Sequence, residues 1–134
     1  MIAMVILTVA LVSMAELMAI TLRMQMLGRN QTSAMRLAQD KIDELMSQNF
    51  SVDALALGGD LDADAPNHFD TPVDQGGNVL GYKRRWFVAP GPVDPDVDAD
   101  SLRIITVRII PFVNDMRVAN TTELTSILRC WPCA

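Results

Sequence analysis

Two cysteines near the end of the chain have the spacing of a redox motif. Cys130 and Cys133 enclose Trp131 and Pro132, and this C-x-x-C sequence ends in Pro-Cys, as in thioredoxin-like oxidoreductases. In those enzymes the first cysteine opens a helix, and the helix N-terminus lowers the pKa of its thiol. In this chain Ala134 follows the second cysteine with no helical pattern after it. We expect a structural disulfide in an oxidising compartment, with redox catalysis as the alternative.

Two series of alternating aspartates could supply the oxygen ligands that Ca²⁺ prefers. They are Asp60, Asp62 and Asp64, and Asp94, Asp96, Asp98 and Asp100. The first series begins like an EF-hand loop, but its sixth position is Ala65 instead of glycine and its twelfth is Thr71 instead of glutamate. We expect solvated acidic loops, with calcium binding as the alternative and no other cofactor. The basic run 83–85 is expected to pair with this acid inside the chain.

Composition and motifs disfavour an enzyme and a nucleic-acid-binding protein. The chain of 134 residues carries a net charge of −5, whereas binding to phosphates requires a basic face. His68 is the one histidine, and together with two cysteines it cannot complete a four-ligand zinc site. No Ser–His–Asp set, phosphate-binding glycine loop or catalytic carboxylate pair can be assigned. We expect no catalysis and no small-molecule substrate.

The first 22 residues predict a membrane-spanning or filament-core helix. They contain one ionisable side chain, Glu16, and no proline or glycine. As a helix they would rise about 33 Å, enough for a hydrocarbon core of about 30 Å. A signal peptide would have a basic start and a shorter apolar run. Besides Glu16, the residues expected to contact lipid or neighbouring helices are Met1, Ile2, Val5, Ile6, Val9, Leu11, Val12, Leu17 and Ile20.

The same helix is predicted to continue as an amphipathic half over residues 23–50. Its apolar stripe is formed by Ala34, Ala38, Ile42, Leu45 and Met46. The other positions of the helix carry charged residues: Arg36, Asp40, Lys41, Asp43 and Glu44. A helix of about 48 residues would be roughly 70 Å long, so one half must be covered by lipid or other subunits and the other by the following domain.

The remainder of the chain predicts a loop followed by a small sheet. Residues 51–81 form an acidic loop rich in glycine and proline, with one helical turn near residues 52–57. Residues 82–134 carry three strand patterns, at 82–89, 102–112 and 123–129. We expect an α+β fold in which about three antiparallel strands pack against the second half of the helix.

The order of these elements resembles that of type IV pilin-like proteins. The pieces that carry the resemblance are MIAMVILTVALVSMAEL, LAQDKIDEL, RRWFV and TTELTSILR. The chain is most similar to minor pilins of the V type and to I-type minor pseudopilins of type II secretion. Members of this family begin with a basic leader, a glycine cleaved by a prepilin peptidase, a methylated N-terminal residue and a glutamate. Met1 would align a few positions past that glutamate, so we expect these features to precede residue 1.

The resemblance implies a position in the bacterial inner membrane, with the sheet domain in the periplasm. Arg23 and Arg29 alone would hold the following domain in the cytoplasm, and a basic leader would reverse that orientation. Family members pass from the bilayer into a pilus or pseudopilus, where their helices pack together, and minor members act at initiation or at the tip. The implied partners are other pilin or pseudopilin subunits. The alternative is a monomeric, membrane-tethered periplasmic binding or thiol protein.

Overall fold

A single α-helix, α1, runs without interruption from Ile2 to Met46. The computed structural model describes residues 2–92, 102–112 and 121–129. Over its 45 residues the helix is roughly 68 Å long. It contains no proline, so the backbone hydrogen-bond ladder has no missing donor. The predicted continuation of the apolar helix into an amphipathic half is confirmed, although the helix ends a few residues before position 50.

An antiparallel sheet of five strands follows the helix and completes the predicted α+β fold. The strands are β1 (Gly58–Gly59), β2 (Phe69–Asp70), β3 (Tyr82–Pro90), β4 (Leu102–Pro111) and β5 (Thr122–Arg129). The order across the sheet is β1-β3-β4-β5, and β2 also pairs with β3. The three long strands were predicted, and their observed bounds differ from the predicted ones by one residue at one end each.

The prediction of a plain loop over residues 51–81 is wrong in part. The expected helical turn is present as a 3₁₀-helix, Asp53–Leu55, but β1 and β2 also lie in this segment and cover one edge of β3. Strands of two residues are too short to show a period-two pattern in a sequence. Gly59 has a φ of 101°, and a Cβ at this position would clash with the carbonyl of Trp86 and the ring of His68. The close approach of β1 to β3 therefore requires glycine.

Side chains of the sheet hold the segment that joins α1 to β1. Trp86 donates its indole N–H to the carbonyl of Ala54 at 2.8 Å. Arg103 donates to the carbonyl of Phe50 at 3.0 Å, and its guanidinium lies 4.4 Å from the centre of the Phe50 ring. Two long side chains on neighbouring strands thus fix this turn against the sheet, so the end of α1 has a defined position.

The core lies between the second half of α1 and one face of the sheet. From the helix it receives Ala34, Ala38, Ile42 and Leu45, all of which are buried as predicted. Side chains alternate between the two faces of β3, β4 and β5. Those that face the helix and are buried are Trp86, Val88, Ile105, Val107, Ile109 and Leu128. The small side chains of the two alanines let the sheet approach the helix closely.

Two assignments on this half of the helix are wrong. Met46, predicted to lie on the apolar stripe, is 44% exposed because the helix ends there and the chain turns away. Lys41, predicted to lie off the apolar stripe, is only 4% exposed. It can lie among the four buried helix residues because carboxylates from the helix and the sheet surround its ammonium group.

Replacement of a core isoleucine should destabilise the sheet domain strongly. Ile105 is fully buried, so Ile105→Ala should lower the free energy of unfolding by about 2–5 kcal/mol, because it leaves a cavity. Ile127 on the next strand is 59% exposed, and Ile127→Ala is the matched control, with an expected change of about 0.5 kcal/mol or less. The measurement is urea unfolding of the detergent-solubilised chain, followed by tryptophan fluorescence. Equal losses for both variants would contradict the assigned core.

Candidate functional site

The first half of α1 projects from the sheet domain without any covering contact. Every residue from Ala3 to Arg29, a stretch called the projecting segment below, is exposed. Its apolar window has a mean hydropathy of 2.3, and none of that window is buried. The exposed large apolar side chains are Met4, Val5, Ile6, Leu7, Val9, Leu11, Val12, Met14, Leu17, Met18, Ile20, Leu22, Met24, Met26 and Leu27. A helix of this length and composition could span a membrane.

The predicted contact residues lie on this segment and surround the helix. Successive residues are rotated by about 100°, so Val5, Val9 and Val12 share one side while Leu11 and Leu17 face elsewhere. All five are 58–65% exposed. Of the remaining predicted positions, Ile6 and Ile20 are also exposed, Met1 lies outside the described residues, and of Ile2 only the helical backbone is described. An all-round apolar surface suits lipid or a bundle of helices.

The hydroxyl groups of the apolar part are satisfied within the helix. Thr8 donates to the carbonyl of Val5 at 2.8 Å, and Ser13 donates to that of Val9 at 2.9 Å. Thr21 donates in the same way to a carbonyl one turn earlier, at 2.8 Å. Such bonds remove the need for water around a hydroxyl, so these residues can enter an apolar medium. These hydrogen bonds were not predicted from the sequence, although serine and threonine inside a helix indicate them.

Glu16 therefore differs from the other polar side chains of residues 3–22. Its side chain is a carboxylate in a segment whose other polar side chains bond to the backbone. In the part of the chain that the structure describes, it forms no ion pair. A carboxylate in an apolar medium costs a few kcal/mol unless it is protonated, near an interface or paired. Glu16 is the residue of this surface that most needs a partner.

A group of charges around the buried Lys41 joins the other half of α1 to the sheet. Lys41 places its ammonium 2.9 Å from both Asp70 and Glu44 and 4.4 Å from the centre of the Trp86 ring. Asp70 also accepts two hydrogen bonds from Arg84, at 2.5 and 2.8 Å. Lys41 can be buried because its charge meets two carboxylates and an aromatic face. The group fixes the helix on the sheet, and the sequence could not reveal it because Asp70 belongs to a strand that was not predicted.

The basic run 83–85 pairs with acidic residues inside the chain, as predicted. Asp64 accepts hydrogen bonds from Lys83 at 2.6 Å and from Arg85 at 2.8 Å. Arg108 on β4 pairs with Glu123 at 2.6 Å and also contacts Asp62. These cations hold the acidic loop against the outer face of the sheet. The bond from Lys83, followed by that from Arg85, lowers the pKa of the Asp64 carboxyl below its ordinary value of 3.8.

The structure gives the proposed calcium ligands other roles where it describes them. Asp62 and Asp64 are paired with the basic side chains above, and Asp60 accepts a hydrogen bond from the backbone N–H of Asp62 at 2.7 Å. Within residues 2–92, 102–112 and 121–129, no group of three acidic, histidine or cysteine side chains could hold a metal ion. The second series, Asp94, Asp96, Asp98 and Asp100, and the cysteines Cys130 and Cys133 lie outside the described residues.

His68 has a structural environment. It is buried, and its ring is tilted at 42° to that of Trp86 with 6.1 Å between the ring centres. Nδ1 lies 3.0 Å from the carbonyl oxygen of Pro66, and Nε2 lies 3.0 Å from that of Ala56. The ring thus bridges two parts of the loop that precedes β3.

Comparison of the chain with models of protein families, with curated proteins and with solved structures gives no match. The resemblance to pilin-like proteins therefore stays a prediction. The most distinctive feature of the described chain is the projecting segment, since the ion pairs observed in the sheet domain join parts of its own fold.

Loss of the buried ammonium group should destabilise the domain. Lys41→Met leaves Asp70 with one cation instead of two and should lower the free energy of unfolding by about 1–3 kcal/mol. Lys83 is also paired, but its side chain is more exposed, at 23% against 5% for Lys41. Lys83→Met, the matched control, should cost less than about 1 kcal/mol. Urea unfolding of both variants in detergent measures the difference, and a larger loss for Lys83→Met would contradict the assignment.

The Asp64 pairing should make the domain sensitive to acid. A carboxyl whose pKa is lowered in the folded state stabilises the fold above its unfolded pKa, and that stabilisation is lost as the pH falls through the folded pKa. Its ordinary value is 3.8, so the loss should occur below about pH 4. Asp64→Asn should therefore lose less stability between pH 6 and pH 3 than the unmodified chain. Lys83→Met should reduce the acid dependence in part, whereas an unchanged dependence in both variants would refute the pairing.

Proposed function

We propose that this protein is a structural subunit of the type IV pilin-like class, a minor pilin or minor pseudopilin. In this proposal the projecting segment holds the subunit in the bacterial inner membrane and then packs with the helices of other subunits in a pilus or a type II secretion pseudopilus. The observation that carries the proposal is a helix whose apolar half, residues 3–29, is wholly uncovered while its second half is fixed on a folded domain. The subunit would act in initiation or at the tip, without catalysis.

The exposed surface of the projecting segment supports both stages of this function, the position in the membrane and the packing with other helices. Lipid tails and neighbouring apolar helices are similar environments for apolar side chains, so transfer between them costs little free energy. The hydroxyls of Thr8, Ser13 and Thr21 are bonded within the helix and do not oppose either environment. A helix buried in its own domain could not make this exchange.

The sheet domain supports a location outside the bilayer. Its outer face carries ion pairs such as those of Asp64 and Arg108, which suit an aqueous surface. The sheet domain packs on the second half of α1, so it lies apart from the projecting segment on the same helix. We place the domain in the periplasm, where an oxidising environment would also favour a Cys130–Cys133 disulfide.

The proposal predicts that two charges on the projecting segment release the protein from the membrane. Leu7→Arg combined with Leu11→Arg should cost about 5–7 kcal/mol at the centre of a bilayer. The matched control is Leu57→Arg combined with Ile127→Arg, which adds the same charge on the sheet domain. The four residues are comparably exposed, at 62%, 58%, 53% and 59%. The first variant should leave the membrane fraction and lose co-purification with pilin-like subunits after detergent extraction, and the control should keep both.

Membrane fractionation and co-purification together separate the proposed function from its alternative. If the unmodified chain stays in the membrane but purifies as a monomer, with no pilin-like subunit in mass spectra, a membrane-tethered periplasmic binding or thiol protein is the better description. If the unmodified chain is found in the soluble fraction, both descriptions fail.

A further inference from the structure

Apolar side chains are exposed at the end of the sheet domain where β3 begins and β4 ends. Val73 and Val79 are bridged across a short hairpin that precedes β3. Phe112 is held beside the end of this hairpin, because its backbone N–H donates to the carbonyl of Gly81 at 2.9 Å. Four side chains of this region are called the apolar tip below and are exposed by 56%, 54%, 41% and 50%: Val73, Val79, Leu80 and Phe112.

The turn of the hairpin is held by one carboxylate. Asp74 accepts hydrogen bonds from the backbone N–H groups of Gly76 and Asn78, both at 2.8 Å, and from the side-chain amide of Asn78 at 3.2 Å. The backbone N–H of Asp74 donates to the carbonyl of Asn78 at 2.8 Å. Asp74 is the one ionisable residue between Pro72 and Gly81. An apolar phase can therefore contact the tip without removing water from an unbonded charge.

The apolar tip lies at the end of the domain that faces the projecting segment. Arg103 is paired with the last residue of β3 and donates to the carbonyl of Phe50, which follows the helix. Arg84, the third residue of β3, shares the carboxylate of Asp70 with Lys41, which lies within the helix. The start of β3 is therefore nearer to the beginning of α1 than its end is. Because β2 runs antiparallel to β3, the hairpin that follows β2 lies at the same end.

The distance from the tip to the projecting segment is short. Leu27 is the last exposed large apolar side chain of that segment, and Lys41 lies roughly 21 Å beyond it along the helix. Gly81 precedes Arg84 by three residues, which places it roughly 10 Å closer to the segment than Arg84. The apolar tip thus lies within roughly 11 Å of the level of Leu27.

A tilt of the helix in the bilayer would close this distance. From Ala3 to Leu27 the helix rises roughly 36 Å, whereas the hydrocarbon core is about 30 Å thick. An apolar helix longer than the core is accommodated by tilting, which for these two lengths gives roughly 34°. A tilt lowers one side of the sheet domain toward the bilayer, and side chains at the interface decide which side that is.

We propose that the apolar tip enters the headgroup region of the bilayer and sets the tilt and rotation of the subunit in the membrane. This inference rests on the proposed function, which places the projecting segment in the membrane, and it names a second surface of the same chain that contacts lipid. Side chains of valine, leucine and phenylalanine suit a depth of about 5–10 Å in the interface. Because Lys41 holds the helix on the sheet, the tip would orient the whole domain before assembly.

Quenching of a fluorescent label in vesicles tests the position of the apolar tip. The full chain carries Cys130→Ser and Cys133→Ser, together with Val79→Cys or, as the matched control, Ile127→Cys. The two labelled positions are 54% and 59% exposed, and Ile127 pairs with Ile104 near the far end of the sheet. Each chain is labelled with an environment-sensitive fluorophore and reconstituted into phosphatidylcholine vesicles that contain a lipid with a nitroxide near its headgroup. The label at Val79→Cys should be quenched and its emission shifted to the blue, and the label at Ile127→Cys should show neither effect.

Charges on the tip should remove the quenching. In the Val79→Cys chain, Val73→Asp combined with Phe112→Asp should lower the inserted fraction about tenfold, which corresponds to roughly 1.4 kcal/mol, because two carboxylates replace apolar side chains at the interface. The matched control is Leu57→Asp combined with Ile127→Asp, which adds the same charge at the far end and should leave the quenching unchanged. All four residues are at least half exposed, so urea unfolding should show a retained fold in both variants.

Each contrary result has one meaning. If Val79→Cys is quenched no more than Ile127→Cys while the chain stays with the vesicles, the inference fails and the proposed function stands. Equal loss of quenching from the charges at the two ends would also overturn the role of the tip. Strong quenching at both labels would overturn the inference together with the position of the sheet domain outside the bilayer. If the unmodified chain does not stay with the vesicles, the proposed function fails as well.

Discussion

The uncovered apolar surface of α1 is the constraint on which the rest of the molecule depends. Burial of apolar surface contributes roughly 25 cal/mol per Å², and soluble monomers rarely expose patches beyond a few hundred Å². The projecting segment exposes large apolar side chains on all sides over roughly 40 Å. A lipid bilayer or neighbouring apolar helices could cover such a surface. Because the helix is continuous into the domain, whatever covers the segment also sets the position of the sheet domain.

The second half of α1 meets a different requirement, since it must be held by a small sheet. Ala34 and Ala38 allow the sheet to approach the helix backbone, and Leu45 fills the core near the end of the helix. The contact is fixed in register by Lys41, whose ammonium group meets carboxylates from both the helix and the sheet. The buried ammonium group adds a directional constraint to this packing, because its loss of solvent is compensated only where these carboxylates lie beside it.

The elements with strong local periodicity could be predicted from the sequence, and the contacts between distant residues could not. The length of α1, the α+β fold and the three long strands all follow from local patterns of apolar and polar residues. The burial of Lys41 depends on Asp70 in a strand of two residues, and such a strand has no pattern. The exposure of Met46 depends on where the helix ends. The apolar character of the candidate site was predictable, whereas the side-chain bonds of the structure were needed to show that the hydroxyls are satisfied and that Glu16 forms no ion pair with the described residues.

In the proposed function, the charge that opposes insertion of a single helix would also favour association. Apolar side chains gain little from exchanging lipid for a neighbouring helix, because the two environments are similar. A carboxylate differs, since it costs a few kcal/mol in lipid and loses much of that cost when a cation of a neighbouring subunit neutralises it. Glu16 would therefore raise the free energy of the isolated subunit relative to the assembled one. The same residue would thus contribute to the driving force for assembly, which apolar side chains alone would supply only weakly.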